Sequence, residues 1–166
     1  MAPMNNVTPS VAEGIPRKVL TLCFVQDGSR VLLGMKKRGF GSDRWNGFGG
    51  KVEPGETVEE AAHRELREEC GVGVMHMEKA GLLEFTFDGD PVLLEVHVFR
   101  AAGMIGEPVE SDEMRPQWFE ESEIPYDAMW LDDKHWLPVF LKGKKFHGVF
   151  HFENEKKLLE YTVAEA

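Results

Sequence analysis

An α/β sandwich with a mixed central sheet is the fold class this sequence predicts, on three observations. Short β-rich segments recur along the chain from residue 17 to residue 163. Two helical patterns interrupt them, one over residues 58–70 and one over residues 132–141. No internal repeat or low-complexity linker divides the 166 residues, so strands and helices share one core, with the helices outside the sheet.

Residues 1–16, rich in Pro, Asn, Ser and Thr, read as a flexible leader, and residues 17–166 as the domain. The leader has neither the apolar core of a secretory signal nor the arginines of a transit peptide. Arg17 to Val25 and Arg30 to Met35 are strand segments separated by the turn Gln26-Asp27-Gly28-Ser29. Lys36 to Asn46 reads as a loop. Gly47-Phe48-Gly49-Gly50 follows it, and three glycines in four residues indicate backbone passing close to another group. Pro54-Gly55 is turn chemistry, and Thr57 with Glu60 forms a capping box, so a helix starts near Val58. It stops near Cys70, because Gly71 sits where a left-handed cap belongs. Strands follow over Gly81 to Phe87 and Val92 to Ala101, turning at Asp88-Gly89-Asp90-Pro91. Asp132 to Leu141 is a second helix capped by an Asp, kinked or shortened by Pro138. Phe146 to Phe152 and Lys157 to Val163 close the chain as a hairpin.

Composition narrows the function. The 19 basic and 29 acidic residues give a net charge of −10, which repels a polyphosphate backbone and argues against polymeric nucleic acid as partner. A small phosphorylated molecule carried in with a metal is still compatible, since the cation screens its approach. Cys23 and Cys70 make neither a disulfide framework nor a zinc pattern and fit a reducing compartment. No apolar run reaches the roughly 18 residues of a membrane span. The expected location is cytoplasmic, with nuclear or mitochondrial pools as alternatives.

The first helix has an odd face. At about 100° per residue, Val58, Ala62 and Leu66 define its apolar stripe, yet Glu65 and Glu69 fall within that stripe and Glu68 on its border. An acidic run on a solvated face would avoid those positions. Three carboxylates at i, i+3 and i+4 repel one another unless a cation sits between them. A hard divalent ion with oxygen ligands suits them, and Mg²⁺ suits best where a substrate brings phosphates, with Mn²⁺ as the alternative.

Gly50, Glu56, Arg64-Glu65-Leu66, Glu68-Glu69 and Gly71-Val72 fix nine positions over 23 residues, and in that spacing the segment resembles a complete Nudix box. The resemblance implies a Nudix-type α/β/α sandwich and metal-assisted attack of water on the phosphorus of a nucleoside diphosphate derivative. It implies Glu65, Glu68 and Glu69 as ligands, one of them alternatively a base, with the Gly49 carbonyl and Glu113 completing the shell. Arg64 would orient a glutamate by a bidentate pair, and Glu56 would be structural.

Beyond the box, the segments Leu32 to Phe40, Arg44 to Val52, Val109 to Pro116 and Met129 to Trp136 are similar to the branch of this family that cleaves oxidised purine nucleoside triphosphates. That similarity implies hydrolysis of 8-oxo-dGTP, 2-oxo-dATP and related damaged purine nucleotides to monophosphate and pyrophosphate, cleansing the nucleotide pool. It implies a base pocket in which Trp130 stacks on the purine and Asn46, Asp132 and Asp133 address its polar edge. Thr21, Leu22, Phe40, Phe85, Phe87, Leu94, Met114, Trp136 and Phe152 would be its walls, with Lys36 towards sugar or phosphate. Two neighbouring aspartates in a closed aromatic pocket repel if both ionise, so one can hold a proton and donate to a base carbonyl while the other accepts. Taken singly, Asp132-Asp133 would read as a helix N-cap and Phe85 with Phe87 as core. The expected state is a monomer acting on a small nucleotide. The alternatives are a Nudix hydrolase of another derivative such as ADP-ribose, and a catalytically silent binding protein, against which the three retained glutamates argue.

Overall fold

The structure is a computed structural model that describes residues 14–166, so residues 1–13 of the expected leader lie outside the described residues. The strands are β1 (Arg17–Asp27), β2 (Arg30–Lys36), β3 (Trp45–Asn46), β4 (Gly73–Phe87), β5 (Asp90–Ile105), β6 (Met114–Glu120), β7 (Phe146–Asn154) and β8 (Lys157–Glu165). The helices are α1 (Val58–Cys70) and α2 (Asp133–Leu141), with two single 3-10 turns ahead of α2. The sheet runs β3-β2-β1-β5-β4-β7-β8, and β6 pairs separately with β2. It is mixed, as expected: β1 with β5 and β4 with β7 are parallel, the other pairs antiparallel.

Two apolar layers make the sandwich. On the α1 side Cys23, Val25, Phe48 and Phe99 pack with Ala62, Leu66 and Cys70. On the other side Phe24, Leu83, Val98 and Phe150 pack with Trp136, Leu137 and Phe140 of α2. Strand alternation divides β1 between them, Phe24 facing one layer and Cys23 and Val25 the other. No helix among the described residues is long and apolar enough to cross a membrane.

Several boundaries differ from the sequence expectation. β4 starts at Gly73 rather than Gly81, and β5 runs on to Ile105, so the two form one long hairpin with a register shift between Lys79 and Gly81. The shift breaks the alternation that would have revealed the earlier half. β6 was not anticipated, since Pro116 and the charges of Met114–Glu120 mask it; it lies antiparallel along all of β2. The second helix passes Pro138 and continues to Leu141. Asp132 precedes it, but its side chain makes no cap hydrogen bond. That carboxylate is engaged elsewhere.

The connection that matters most for the site is irregular. The strap from Gly47 to Val52 runs beside β1, with bridges at Cys23–Phe48 and Leu20–Lys51. Thr21 N–H donates to the Gly50 carbonyl at 2.9 Å, and Val52 N–H to the Val19 carbonyl at 3.0 Å. This seam carries Gly49 and Gly50 beneath the acidic face of α1.

Candidate active site

Local chemistry sets α1 in place. Thr57 Oγ1 accepts from Glu60 N–H at 3.1 Å, and Glu60 Oε1 from Thr57 N–H at 2.8 Å, completing the capping box. At the other end Gly71 has φ +78° and donates to the Arg67 carbonyl. Ser111 Oγ donates to the Glu69 carbonyl at 2.8 Å, fastening the last turn to the loop before β6. With both ends fixed, Ala62, Leu66 and Cys70 face the core, and Glu69 is buried with them. Glu65 is partly covered and Glu68 exposed.

The glycines of the strap let backbone and carboxylates meet. A Cβ on Gly49 would collide with the Thr21 carbonyl, and one on Gly50 with the Glu65 carboxylate. Gly49 N–H donates to Glu69 Oε1 at 3.0 Å. Glu56 and Arg64 form the bidentate pair, Nε to Oε2 at 2.6 Å and Nη2 to Oε1 at 2.9 Å. Arg64 Nη1 then reaches Glu65 Oε2 and Glu68 Oε1, each at 3.2 Å, and Nη2 reaches the Lys51 carbonyl at 3.1 Å. The bidentate partner is therefore Glu56 and not one of the three box glutamates. Arg64 ties Glu65, Glu68 and the strap to a residue outside them.

Electrostatics separate these carboxylates. Burial first, and the Glu65 charge second, push Glu69 up to about 8, although the Gly49 N–H and Lys36 act the other way. Glu65 is raised by burial and partly restored by Arg64. Glu56 is held down to about 2, chiefly by its hydrogen bonds from Arg64.

A hard divalent cation fits this donor set. The donors are carboxylate and carbonyl oxygens, and the buried Glu69 charge lacks a cationic partner within hydrogen-bond reach that a metal would supply. Among the described residues no three His, Cys, Asp or Glu side chains stand close enough to enclose an ion as placed. Glu65 and Glu68 lean on Arg64, and Glu113 is exposed, 3.8 Å from Arg38 Nε.

From Glu69 a cavity of about 360 Å³ runs across the sheet to the start of α2. Gly49, Gly50, Lys51 and Lys36 line it, and its far part holds Asn46, Trp130, Asp132 and Asp133. Thr21, Leu22, Phe40, Phe85, Phe87, Leu94, Met114 and Phe152 are among the residues lining it. Strand register assembles them: Phe85 pairs with Leu94 across β4 and β5, and Phe87 with Phe152 across β4 and β7. The Phe87 and Phe152 rings stack at 5.1 Å.

Asp132 and Asp133 are both buried, and both carboxyls are raised above their usual range by that burial. The Asp132 charge raises Asp133 further. Asp132 Oδ2 accepts from Trp136 Nε1 at 2.8 Å, whereas Asp133 Oδ2 and Thr21 Oγ1 are buried without a partner. Buried polar atoms are seldom left so. Both belong to residues lining the cavity, and a ligand with donors and acceptors would satisfy them.

Not every expected residue reaches this cavity. Trp136 is no wall: it is fully buried, stacks on Phe146 at 5.3 Å, and acts on the site through Asp132. Arg64, Glu65, Glu68 and Glu113 lie off its lining. Conversely, Lys18, Leu20, Val96, Gly41 and Lys51 line it without having been anticipated. The i, i+2, i+4 series Lys18, Leu20, Leu22 carried the signal for the first two, because Leu22 already faced the pocket.

A family model described as NUDIX domain matches residues 16–140. Oxidized purine nucleoside triphosphate hydrolases of Danio rerio and Mus musculus are 53% and 51% identical to this chain, each over 148 residues, 89% of this chain and 95% of theirs. A crystal structure of a mutator MutT protein from Bacillus halodurans matches with a TM-score of 0.79 at 30% identity, over 88% of this chain and 97% of that one. Box, fold and relatives agree, and the chain belongs to the Nudix family.

Proposed function

We propose that this chain hydrolyses oxidised purine nucleoside triphosphates, 8-oxo-dGTP and 2-oxo-dATP among them, to monophosphate and pyrophosphate with Mg²⁺ as cofactor. The observation that carries this reading is the continuity of one cavity from the buried carboxylate of Glu69 to the paired carboxyls of Asp132 and Asp133. A purine seated between Trp130 and the aspartates would direct its phosphates towards Lys36, Lys51 and the Gly49-Gly50 backbone. The relatives whose names specify oxidised purine substrates support the same assignment.

The chain's own residues divide the work. Asp133, raised by burial and by the Asp132 charge, is the carboxyl that would hold a proton and donate it to an oxidised-base carbonyl, while Asp132, hydrogen-bonded by Trp136, would accept from a ring N–H. Moving that proton between the two carboxyls lets one pocket take both oxidised guanine and oxidised adenine. At the other end Glu69 lines the cavity, and one of Glu65, Glu68 and Glu69 would serve as base in place of holding the cation. Arg64 and Glu56 fix Glu65, Glu68 and the strap. Glu65, Glu68 and Glu69 would hold a divalent cation, whose positive charge would be supplied to the phosphate oxygens. The enzyme acts as a monomer on the free nucleotide, in the cytoplasm or in nuclear and mitochondrial pools.

Steady-state hydrolysis of 8-oxo-dGTP beside dGTP and ADP-ribose, with Mg²⁺ and with chelator, tests this. We expect preferred turnover of 8-oxo-dGTP to monophosphate and pyrophosphate, abolished by chelation. Equal turnover of all three with metal would overturn the substrate and leave the reaction class standing.

A further inference from the structure

Trp130 belongs to neither a strand nor a helix. It follows a 3-10 turn and an extended Met129, and it precedes α2. Its carbonyl accepts from Asp133 N–H at 3.1 Å at the start of α2, and its ring is set by side-chain neighbours. Within the pocket Phe40, Phe87 and Phe152 surround it at centroid distances of 5.1, 6.4 and 6.0 Å. All three line the cavity with Trp130. Arg44 does not, yet its guanidinium carbon lies 4.4 Å from the Trp130 ring centroid. The guanidinium thus meets the indole from outside the cavity lining.

Arg44 is itself held from two directions. Its Nη1 donates to Glu155 Oε1 at 3.0 Å, in the turn between β7 and β8. Its carbonyl accepts from Lys36 N–H at 3.1 Å, and Asp43 N–H donates to the Lys36 carbonyl at 2.8 Å, closing the base of the loop 37–43. That loop contains positive φ at Gly39, Gly41 and Asp43. Its tip presses on Trp130 at Gly41, where an added Cβ would lie 3.0 Å from the indole Nε1. The Arg44 side chain is mostly covered, so the cation sits over the ring in a partly desolvated place where the attraction is stronger.

We propose that Arg44, braced by Glu155, is a positioning residue that clamps the outer side of Trp130 and so presents its inner side as the stacking surface for the purine. The clamp rests on the base-pocket reading above and adds to it a strut joining the glycine-rich loop, the residue before α2, and the β7–β8 turn. Glu155 fixes the guanidinium plane, which a point charge on a flexible stem could not match. Neither residue touches the phosphates or Glu69, so the clamp acts on binding of the base rather than on the hydrolytic step.

The test compares wild type with Arg44→Met, Arg44→Lys and Glu155→Gln, measuring kcat and KM for 8-oxo-dGTP and for dGTP and the thermal midpoint of each protein. Methionine preserves the covering stem and removes the cation. With Arg44→Met the expected result is a KM higher by about tenfold for both nucleotides, at similar kcat and an unchanged midpoint. Arg44→Lys should recover part of that loss, and Glu155→Gln should show a smaller rise. An unchanged KM in Arg44→Met overturns the clamp. So does a fall in kcat that tracks a lowered midpoint with KM unmoved, because that is a purely structural role. Stacking does not distinguish an oxidised purine from an intact one, so the ratio of variant to wild-type KM remains readable on dGTP alone. A wild type without preference for 8-oxo-dGTP would sink the selectivity reading, and the clamp would still stand or fall by that ratio.

Discussion

The two ends of the cavity are built on opposite plans. At the α1 end the carboxylates come from one helix, with Glu68 exposed, Glu65 partly covered and Glu69 buried. An external pair, Glu56 with Arg64, holds two of them. At the α2 end two adjacent carboxyls are sealed among rings contributed by β4, β7 and separate loops, and burial raises both above their usual range, Asp133 further through the Asp132 charge. The α1 end pairs Glu65 and Glu68 with Arg64 and raises Glu69 by burial, whereas the α2 end raises both of its carboxyls that way. Under the proposed function, pairing suits an end that would receive phosphates and a cation, and burial of carboxyls suits an end that would read the donors and acceptors of a neutral base.

The comparison breaks most sharply at Glu69, the one box glutamate that lines the cavity. Glu69→Gln should lower kcat by about a thousandfold. Affinity for the monophosphate product, measured by calorimetry, should change far less, because the base end is untouched. Loss of product binding in the same variant would mean that the two ends are not separate.

The converse cut is Asp132→Asn. It removes the carboxyl that accepts from Trp136 and that raises Asp133. The ratio of kcat/KM for 8-oxo-dGTP over dGTP should fall by about 10- to 100-fold while dGTP turnover persists. If both activities were unchanged, the shared-proton reading of the pocket would be wrong.

These two ends also differed in how far the sequence displayed them. The α1 end was legible from residues alone: capping box, left-handed glycine cap and the misplaced glutamates of the apolar stripe all lie within one helix, and the structure has each of them. What the spacing could not show was the direction of the Arg64 fork, since Glu56 precedes the helix and meets Arg64 only through the turn at Pro54-Gly55. The α2 end was legible only through resemblance. Its walls sit on strands far apart in sequence, brought together by β1–β5 and β4–β7 register that no local period encodes. Trp136 illustrates the cost. The resemblance placed it among the pocket walls, whereas it lies off the cavity lining, fully buried, with its Nε1 donating to Asp132. Likewise β6 and the first half of β4 escaped notice, because a proline and a bulge disturb the alternation that marks a strand.

A milder cut separates holding from reacting at the α1 end. Arg64→Ala frees Glu65 and Glu68, unpairs Glu56 and releases the Lys51 carbonyl. The Mg²⁺ concentration for half-maximal activity should rise by about 10- to 100-fold, the usual effect of losing a residue that orients ligands. Glu56→Gln should move it in the same direction by less, since Arg64 remains. A variant that loses kcat at saturating Mg²⁺ with no shift in metal dependence would place Arg64 in the reaction itself.

The smallest effect is on stability, and there the two plans predict opposite signs. Asp133 has a folded pKa raised above its unfolded value of about 3.8, so the folded protein binds the extra proton as pH rises beyond that value. The stability tied to this group is therefore present in acid and lost with rising pH until the folded pKa is passed, at up to about 1.4 kcal/mol per pH unit for one proton. Glu56, held down to about 2, behaves in reverse: its contribution is present above its unfolded value near 4.5 and is lost as pH falls towards 2. Denaturant unfolding between about pH 5 and pH 8 excludes Glu56, which is ionised in both states throughout that range. The difference between wild type and Asp133→Asn then separates Asp133 from Glu65, Glu69 and Asp132, which are raised as well. Asp133→Asn should flatten the decline of stability with pH over this interval, whatever its effect on the absolute value. Glu56→Gln should leave the slope alone and flatten only the acid side. Parallel profiles for wild type and Asp133→Asn would mean that the carboxyl is not protonated in the folded protein, and the contrast between paired and suppressed charge would fail at the end where it matters for choosing the base.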